Sequence, residues 1–116
     1  MAMHLDVGSD REVGVKLFRG LGDGTRLAIL QTLASGERRV TDLVTELGSS
    51  QSNISAHLAC LKGCGLVEDR PEGRAVFYKI ASDRVFPLLE AAELLLADVG
   101  QQVDLCPVHA PGGDEE

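Results

Sequence analysis

No apolar run in the sequence approaches the ~20 residues needed to cross a bilayer, and the opening stretch MAMHLDVGSD lacks the apolar centre of a signal peptide. The chain is therefore expected to be a soluble, cytosolic protein. Cysteine is scarce as well. Cys60, Cys64 and Cys106 are the three present, an odd number and too few for the disulfide framework of a small secreted domain. In a reducing cytosol they are thiols, available as core fillers, nucleophiles or metal ligands. A surplus of positive charge is also missing. The net charge of −7 at first argues against a nucleic-acid partner. The average misleads, because residues 1 to 25 hold three basic and four acidic side chains, residues 26 to 82 seven and six, and residues 83 to 116 one and eight. With the acid gathered at the C-terminal end, the middle segment can still offer Arg38, Arg39, Lys62, Arg70 and Arg74 to phosphates, and a dimer doubles that footprint.

What is there fits one small domain, since 116 residues bury a single core and leave no room for a second. Val13, Leu17 and Leu21 stand at i, i+4 and i+8, the stripe of an amphipathic helix, broken by Gly20, Gly22 and Gly24. Asp23 or Thr25 can cap a second helix, in which Leu27, Leu30, Leu33 and Ala34 face inward until Ser35 and Gly36 stop it. A short third helix is expected from about Thr41 to Leu47, with Leu43, Val44 and Leu47 on its apolar face and Gly48 after its end. No capping box marks its start, because Glu46 lies too far from Thr41. Ser49 or Ser50 caps a fourth helix, in which Ile54, Leu58 and Leu61 pack inward before Gly63 and Gly65 end it.

Two helices joined so briefly form a helix-turn-helix. Leu66 to Arg70 and Ala75 to Ile80 are β-type runs around Pro71-Glu72-Gly73-Arg74, a hairpin that makes a wing. From Val85 the pattern is helical again, and Val85, Leu88, Ala92, Leu95 and Val99 repeat at intervals of 3, 4, 3 and 4, as a coiled-coil seam requires, with Leu89 and Leu96 widening the stripe. So apolar a terminal helix is expected to pack on its twin in a symmetric homodimer. The expected fold is mainly α with a β-hairpin wing. Residues 1 to 100 form the winged helix-turn-helix domain with its dimerisation helices, and residues 101 to 116, with Pro107, Pro111 and an acidic end, form a tail that is mobile unless something ties it down.

The second helix of a helix-turn-helix enters the major groove with its N-terminal residues against base edges. Here those residues are Ser50, Gln51, Ser52, Asn53 and Ser55. Their amides can reach adenine edges, and their hydroxyls and backbone amides can reach phosphates. Arg70 and Arg74 of the wing add contacts to phosphates or to the minor groove. A winged helix that binds only protein is the competing reading of this polar cluster.

The segments LGDGTRLAIL, SQSNISAHLACLKGCGLV and RPEGRAVFYKI, which span about Leu21 to Ile80, resemble the ArsR/SmtB family of metal-responsive repressors. The resemblance implies a five-helix winged dimer that represses an operator and dissociates when a metal or metalloid binds. Gly24 departs from the proline usual in that family. His57 falls in the family's Ser-x-His-Leu pattern and is read as a packed or hydrogen-bonding residue, with a ligand role as the alternative.

Two sites where family members hold their inducer are missing here. The third helix begins Arg38-Arg39-Val40-Thr41-Asp42 without a Cys-x-Cys pair, and no histidine lies between Asp83 and Val99. What remains is Cys60 and Cys64, at i and i+4 on one helical face, where both thiolates can reach one ion at ~2.3 to 2.6 Å. Cys106 can complete a three-thiolate site by folding onto the fourth helix, including that of the other protomer. The pair and the tail cysteine look like the cadmium- and lead-sensing, CmtR-like branch of the family, whose ligands map onto Cys60, Cys64 and Cys106. Three thiolates suit cadmium(II) or lead(II) above zinc(II), with arsenic(III) as the rival inducer. His4, Asp104 or His109 can add a fourth ligand. Plain packing of the cysteines, a thiol redox switch and a catalytic cysteine are the other readings. The last is disfavoured by the negative end of the helix dipole and by the lack of an activating His-carboxylate pair.

Overall fold

The computed structural model describes residues 2–108, and side chains from residue 10 onward, so His4 and His109 fall outside the described side chains. In chain order the elements are α1 Ala2–Leu21, α2 Gly24–Leu33, α3 Val40–Leu47, α4 Gln51–Gly63, β1 Val67–Glu72, β2 Ala75–Ile80 and α5 Val85–Asp98. Among the described residues no helix is long and apolar enough to cross a membrane.

Local chemistry sets the helix limits. Asp23 caps α2, its Oδ2 accepting the Arg26 amide at 3.0 Å, while Thr25 falls inside the helix. α3 begins one residue before the expected Thr41, because Arg39 occupies the cap and Asp42 Oδ2, three residues on, accepts the Arg39 amide at 2.9 Å. Gly48 ends α3 in the left-handed region at φ 71°, where a side chain would be strained. Ser50 then caps α4, its Oγ accepting the Asn53 amide at 3.1 Å.

The tri-helical core forms where these stripes meet. Ile29, Leu30 and Leu33 of α2, Leu43 of α3, and Ile54, Leu58 and Leu61 of α4 are buried, joined by Leu66, Val67, Val85 and Leu89. Burial of each such side chain contributes about 1.5–3 kcal/mol. Leu17, Leu21 and Leu27 pack at its margin, and Ala34 is half-buried.

β1 and β2 pair antiparallel from Val67 opposite Ile80 to Glu72 opposite Ala75, so the connection is only Gly73-Arg74, with Gly73 at φ 63°. The wing is pinned to the body by a bridge between Arg38 and Tyr78, whose backbone amides and carbonyls exchange hydrogen bonds of 3.1 and 2.8 Å. In α5, Val85 and Leu89 cover the core, whereas Leu94, Leu95 and the following Val99 are about two-thirds exposed, as are Val13 and Phe18 of α1.

The tail after α5 is tied down as far as residue 108. Glu93 Oε2 accepts the Leu105 and Cys106 amides at 2.7 and 2.6 Å, and Gln31 Nε2 donates to the Leu105 carbonyl at 2.9 Å. Cys106 is thereby inserted into the core cluster, 1 % exposed.

Candidate nucleic-acid interface and thiol site

The N-terminal turn of α4 presents Gln51, Ser52, Asn53 and Ser55 to solvent beside the exposed cap Ser50. Several of these groups are already in use. Ser50 Oγ holds the cap, Asn53 Nδ2 donates to Ser49 Oγ at 2.6 Å, and Ser52 Oγ lies 3.5 Å from Ser50 Oγ. Gln51 and Ser55 make no side-chain hydrogen bond among the described residues, and Gln51 carries the donor and acceptor pair that adenine's major-groove edge requires.

The basic residues divide sharply. Arg70 does not stand ready for phosphate: its Nε and Nη2 donate to the Glu37 carboxylate at 3.0 and 2.6 Å, its Nη1 bonds Glu72, and its guanidinium lies 5.1 Å from the Phe77 ring centroid. These carboxylates raise its already high pKa, and the Arg70 hydrogen bonds hold Glu37 below the usual carboxylate range. Arg70 is thus a brace between the wing and the approach to α3. Arg38 pairs with Glu46, Arg39 with Asp42 and Lys62 with Asp69. Arg74, exposed in the wing turn, has no ion-pair partner among the described residues. With Arg39 it borders an open depression of about 410 Å³ that also takes in the first residues of α3. Only structure shows this sorting, because the partners are scattered in sequence.

Cys60 and Cys64 occupy the opposite end of α4. Cys60 is exposed and Cys64 is half-buried, with its thiol donating to Leu61 O at 3.6 Å. Burial first, and then the neighbouring Cys60, push the Cys64 thiol up in pKa. Its sulfur packs on the last turn of α1, so closely that a Cβ on Gly20 would stand 2.6 Å from it. An apolar groove of about 450 Å³ opens beside Cys64, between Val13, Gly14 and Leu17 of α1 and Gly63 and Gly65. Cys106 is elsewhere, in a cleft with Gln31, Asp104 and Pro107, its thiol donating to Val108 O at 2.8 Å. Burial pushes its pKa up, with Glu90, Glu93 and Asp104 acting in the same direction.

The chain therefore brings two of its three cysteines together and holds the third apart. Among the described residues no three His, Cys, Asp or Glu side chains are grouped to hold a metal ion. The pair alone has the donor chemistry for a soft ion but leaves at least one position to be filled. His57 proves to be a hydrogen-bonding residue, with Nδ1 3.1 Å from Arg26 Nη1. Glu93, Gln31 and Arg26 were not distinguishable by sequence, since each acts on residues far along the chain or through its backbone contacts.

Comparison with known proteins agrees with this architecture. Residues 23–69 match the family described as bacterial regulatory protein, arsR family. A probable mercury resistance operon repressor of Streptomyces lividans is 39 % identical over 101 residues, covering 87 % of this chain and 80 % of that protein. The HTH-type transcriptional regulator CmtR of Mycobacterium tuberculosis is 42 % identical over 83 residues, covering 71 % of this chain and 70 % of the relative. Among solved structures, a homodimeric winged helix-turn-helix DNA-binding domain from Mycobacterium bovis superposes with a TM-score of 0.69 at 37 % identity, covering 78 % of this chain and 88 % of that one. The chain belongs to the ArsR family of bacterial regulatory proteins, with the winged helix-turn-helix fold of transcriptional regulators and not of enzymes.

Proposed function

We propose that this repressor binds operator DNA as a homodimer and is released when a soft metal ion, cadmium(II) or lead(II), is held by Cys60, Cys64 and the Cys106 of a partner subunit. The observation that carries the reading is the position of the paired thiols: Cys60 and Cys64 lie on the same helix whose first turn exposes Gln51 and Ser55. The groove beside Cys64 offers room for an incoming segment, and the uncovered apolar residues of α1 and α5 suit a dimer.

A soft cation at this place would supply the positive centre that favours thiolate over thiol. For Cys64 to serve, its sulfur leaves the surface of Gly20. For Cys106 to serve, the tail leaves Glu93 and Gln31, which exposes a buried thiol and two amides. DNA release then requires that the bound and free dimers differ in affinity for the ion. A ~100-fold weakening of operator binding corresponds to about 2.7 kcal/mol of coupling, and DNA must weaken ion binding by the same factor.

The relatives' names make mercury(II) and arsenic(III) worth including as competitors. The deciding experiment titrates the reduced protein with each ion, following thiolate-to-metal absorbance and operator affinity together, for the parent and for Cys60→Ser, Cys64→Ser and Cys106→Ser. Loss of both signals in all three variants is expected with cadmium(II) or lead(II). Unchanged operator affinity on saturation with every ion would sink the sensing role and leave the thiols structural or redox groups.

A further inference from the structure

One guanidinium joins three elements at the place where the recognition helix meets α1. Arg26 Nε donates to Gly20 O at 3.0 Å and Nη2 to Arg19 O at 2.7 Å, carbonyls of the last turn of α1, while Nη1 lies 3.1 Å from His57 Nδ1 in the middle of α4. The Arg26 amide is bonded to Asp23 Oδ2, and that same oxygen is 3.8 Å from His57 Nε2. Arginine only donates, so the ring nitrogen facing it must offer a lone pair. The contact is a hydrogen bond in the tautomer that carries its proton on Nε2, toward Asp23.

The arrangement has a direction that packing lacks. The carbonyls at a helix C-terminus need donors, and any water would satisfy them. A planar guanidinium bonded to both those carbonyls and a ring nitrogen instead fixes where α4 stands relative to the end of α1. The apolar contacts between these elements, the Cys64 sulfur on Gly20 among them, have no angular preference. Among the described residues no other side-chain hydrogen bond links α4 to the last turn of α1.

We propose that Arg26 and His57 are positioning residues that set the angle of the recognition helix against α1, and through it the spacing of operator half-sites the dimer accepts. This rests on the reading of the chain as a dimeric operator binder. In a two-fold dimer each recognition helix must meet its own half-site, so their separation is mirrored in the DNA. A dimer whose α4 helices swivel should still bind a half-site and should stop discriminating spacing.

The test begins with duplexes selected from random DNA by the full-length protein, and with derivatives whose half-sites are moved one base pair closer or farther. The parent should favour its own spacing by about 10-fold or more, on the scale of a mismatched base pair. In Arg26→Lys and His57→Ala that preference should shrink to about 2-fold, with dimer mass and binding to a single half-site retained. His57→Asn, which keeps an acceptor near the place of Nδ1, should restore it. The nitrogen spectrum of His57 should show the Nε2-protonated tautomer in the parent and lose it in Arg26→Lys. Full spacing preference in both Arg26→Lys and His57→Ala overturns the proposal. A parent that selects no inverted repeat overturns the dimeric-operator reading and the spacing role with it, while the His57 spectrum still decides whether the clasp itself exists.

Discussion

Glu93 is a single carboxylate on which the fate of Cys106 turns. It accepts two consecutive backbone amides, at 2.7 and 2.6 Å, and hydrogen bonds to a charged group are worth about 1.5–3 kcal/mol each. Thiol labelling of the reduced protein should modify Cys60 quickly and Cys106 slowly, and Glu93→Ala should speed labelling of Cys106 by at least ~10-fold. Equal rates in the parent would show that the tail is not held. The same burial fixes a pH dependence. Binding of an ion strips protons from thiols, so affinity rises with pH. Because burial raises the Cys64 and Cys106 thiols, that rise should continue past about pH 8.5, where an ordinary thiol levels off. Stability runs the other way: an acid whose folded pKa is raised contributes fully below its unfolded pKa and loses that contribution as pH climbs through the folded value. Metal titrations and urea melts at stepped pH check both signs, and an affinity that plateaus below pH 8.5 would contradict the first.

Among the elements, the starts of α2, α3 and α4 were legible in the sequence to within about a residue, because caps and apolar periods are local signals: Ser50, Gly48 and the Ile54, Leu58, Leu61 stripe each acted as expected. In contrast, α1 begins at Ala2, well before the stripe from Val13, and runs through Gly20, one of the residues expected to break it. The wing was also legible, although its strands run on to Glu72 and leave only Gly73-Arg74 as the turn. What could not be read was which charges the tertiary fold would neutralise. Arg70 and Arg74 look equivalent in sequence, four residues apart, yet Glu37, 33 residues away from Arg70, takes one and leaves the other. The two should separate by experiment. Arg74→Ala should weaken operator binding and lower the slope of log affinity against log salt by about 1, as the loss of one phosphate contact requires. Arg70→Ala should instead act on stability by freeing the wing, with the salt slope little changed. Affinities measured across a salt series, beside urea melts, distinguish these outcomes. The tail was equally hidden, since the glutamate and glutamine that hold it are 12 and 74 residues from Leu105.

For the molecule as a whole, the most exposed apolar residues among those described lie on α1 and on or just past the end of α5. Leu95 at 67 % exposure and Phe18 at 64 % are costly to leave in water, and α5 continues the seam beyond what the core can cover. If the proposed dimer packs through α5, Leu95→Glu should give a monomer in sedimentation at micromolar concentration and remove high-affinity operator binding, while the helical spectrum is retained; an unchanged dimer mass would move the interface elsewhere. The reading groups and the paired thiols are placed at opposite ends of α4, which has 13 residues and so spans about 20 Å at ~1.5 Å per residue. Such a rod is a lever. Pivoted at the thiol end by ~10°, it would carry its first turn ~3.5 Å sideways, about the ~3.4 Å rise of one nucleotide. A tilt of that size would thus shift the first turn of α4 by about a whole base step.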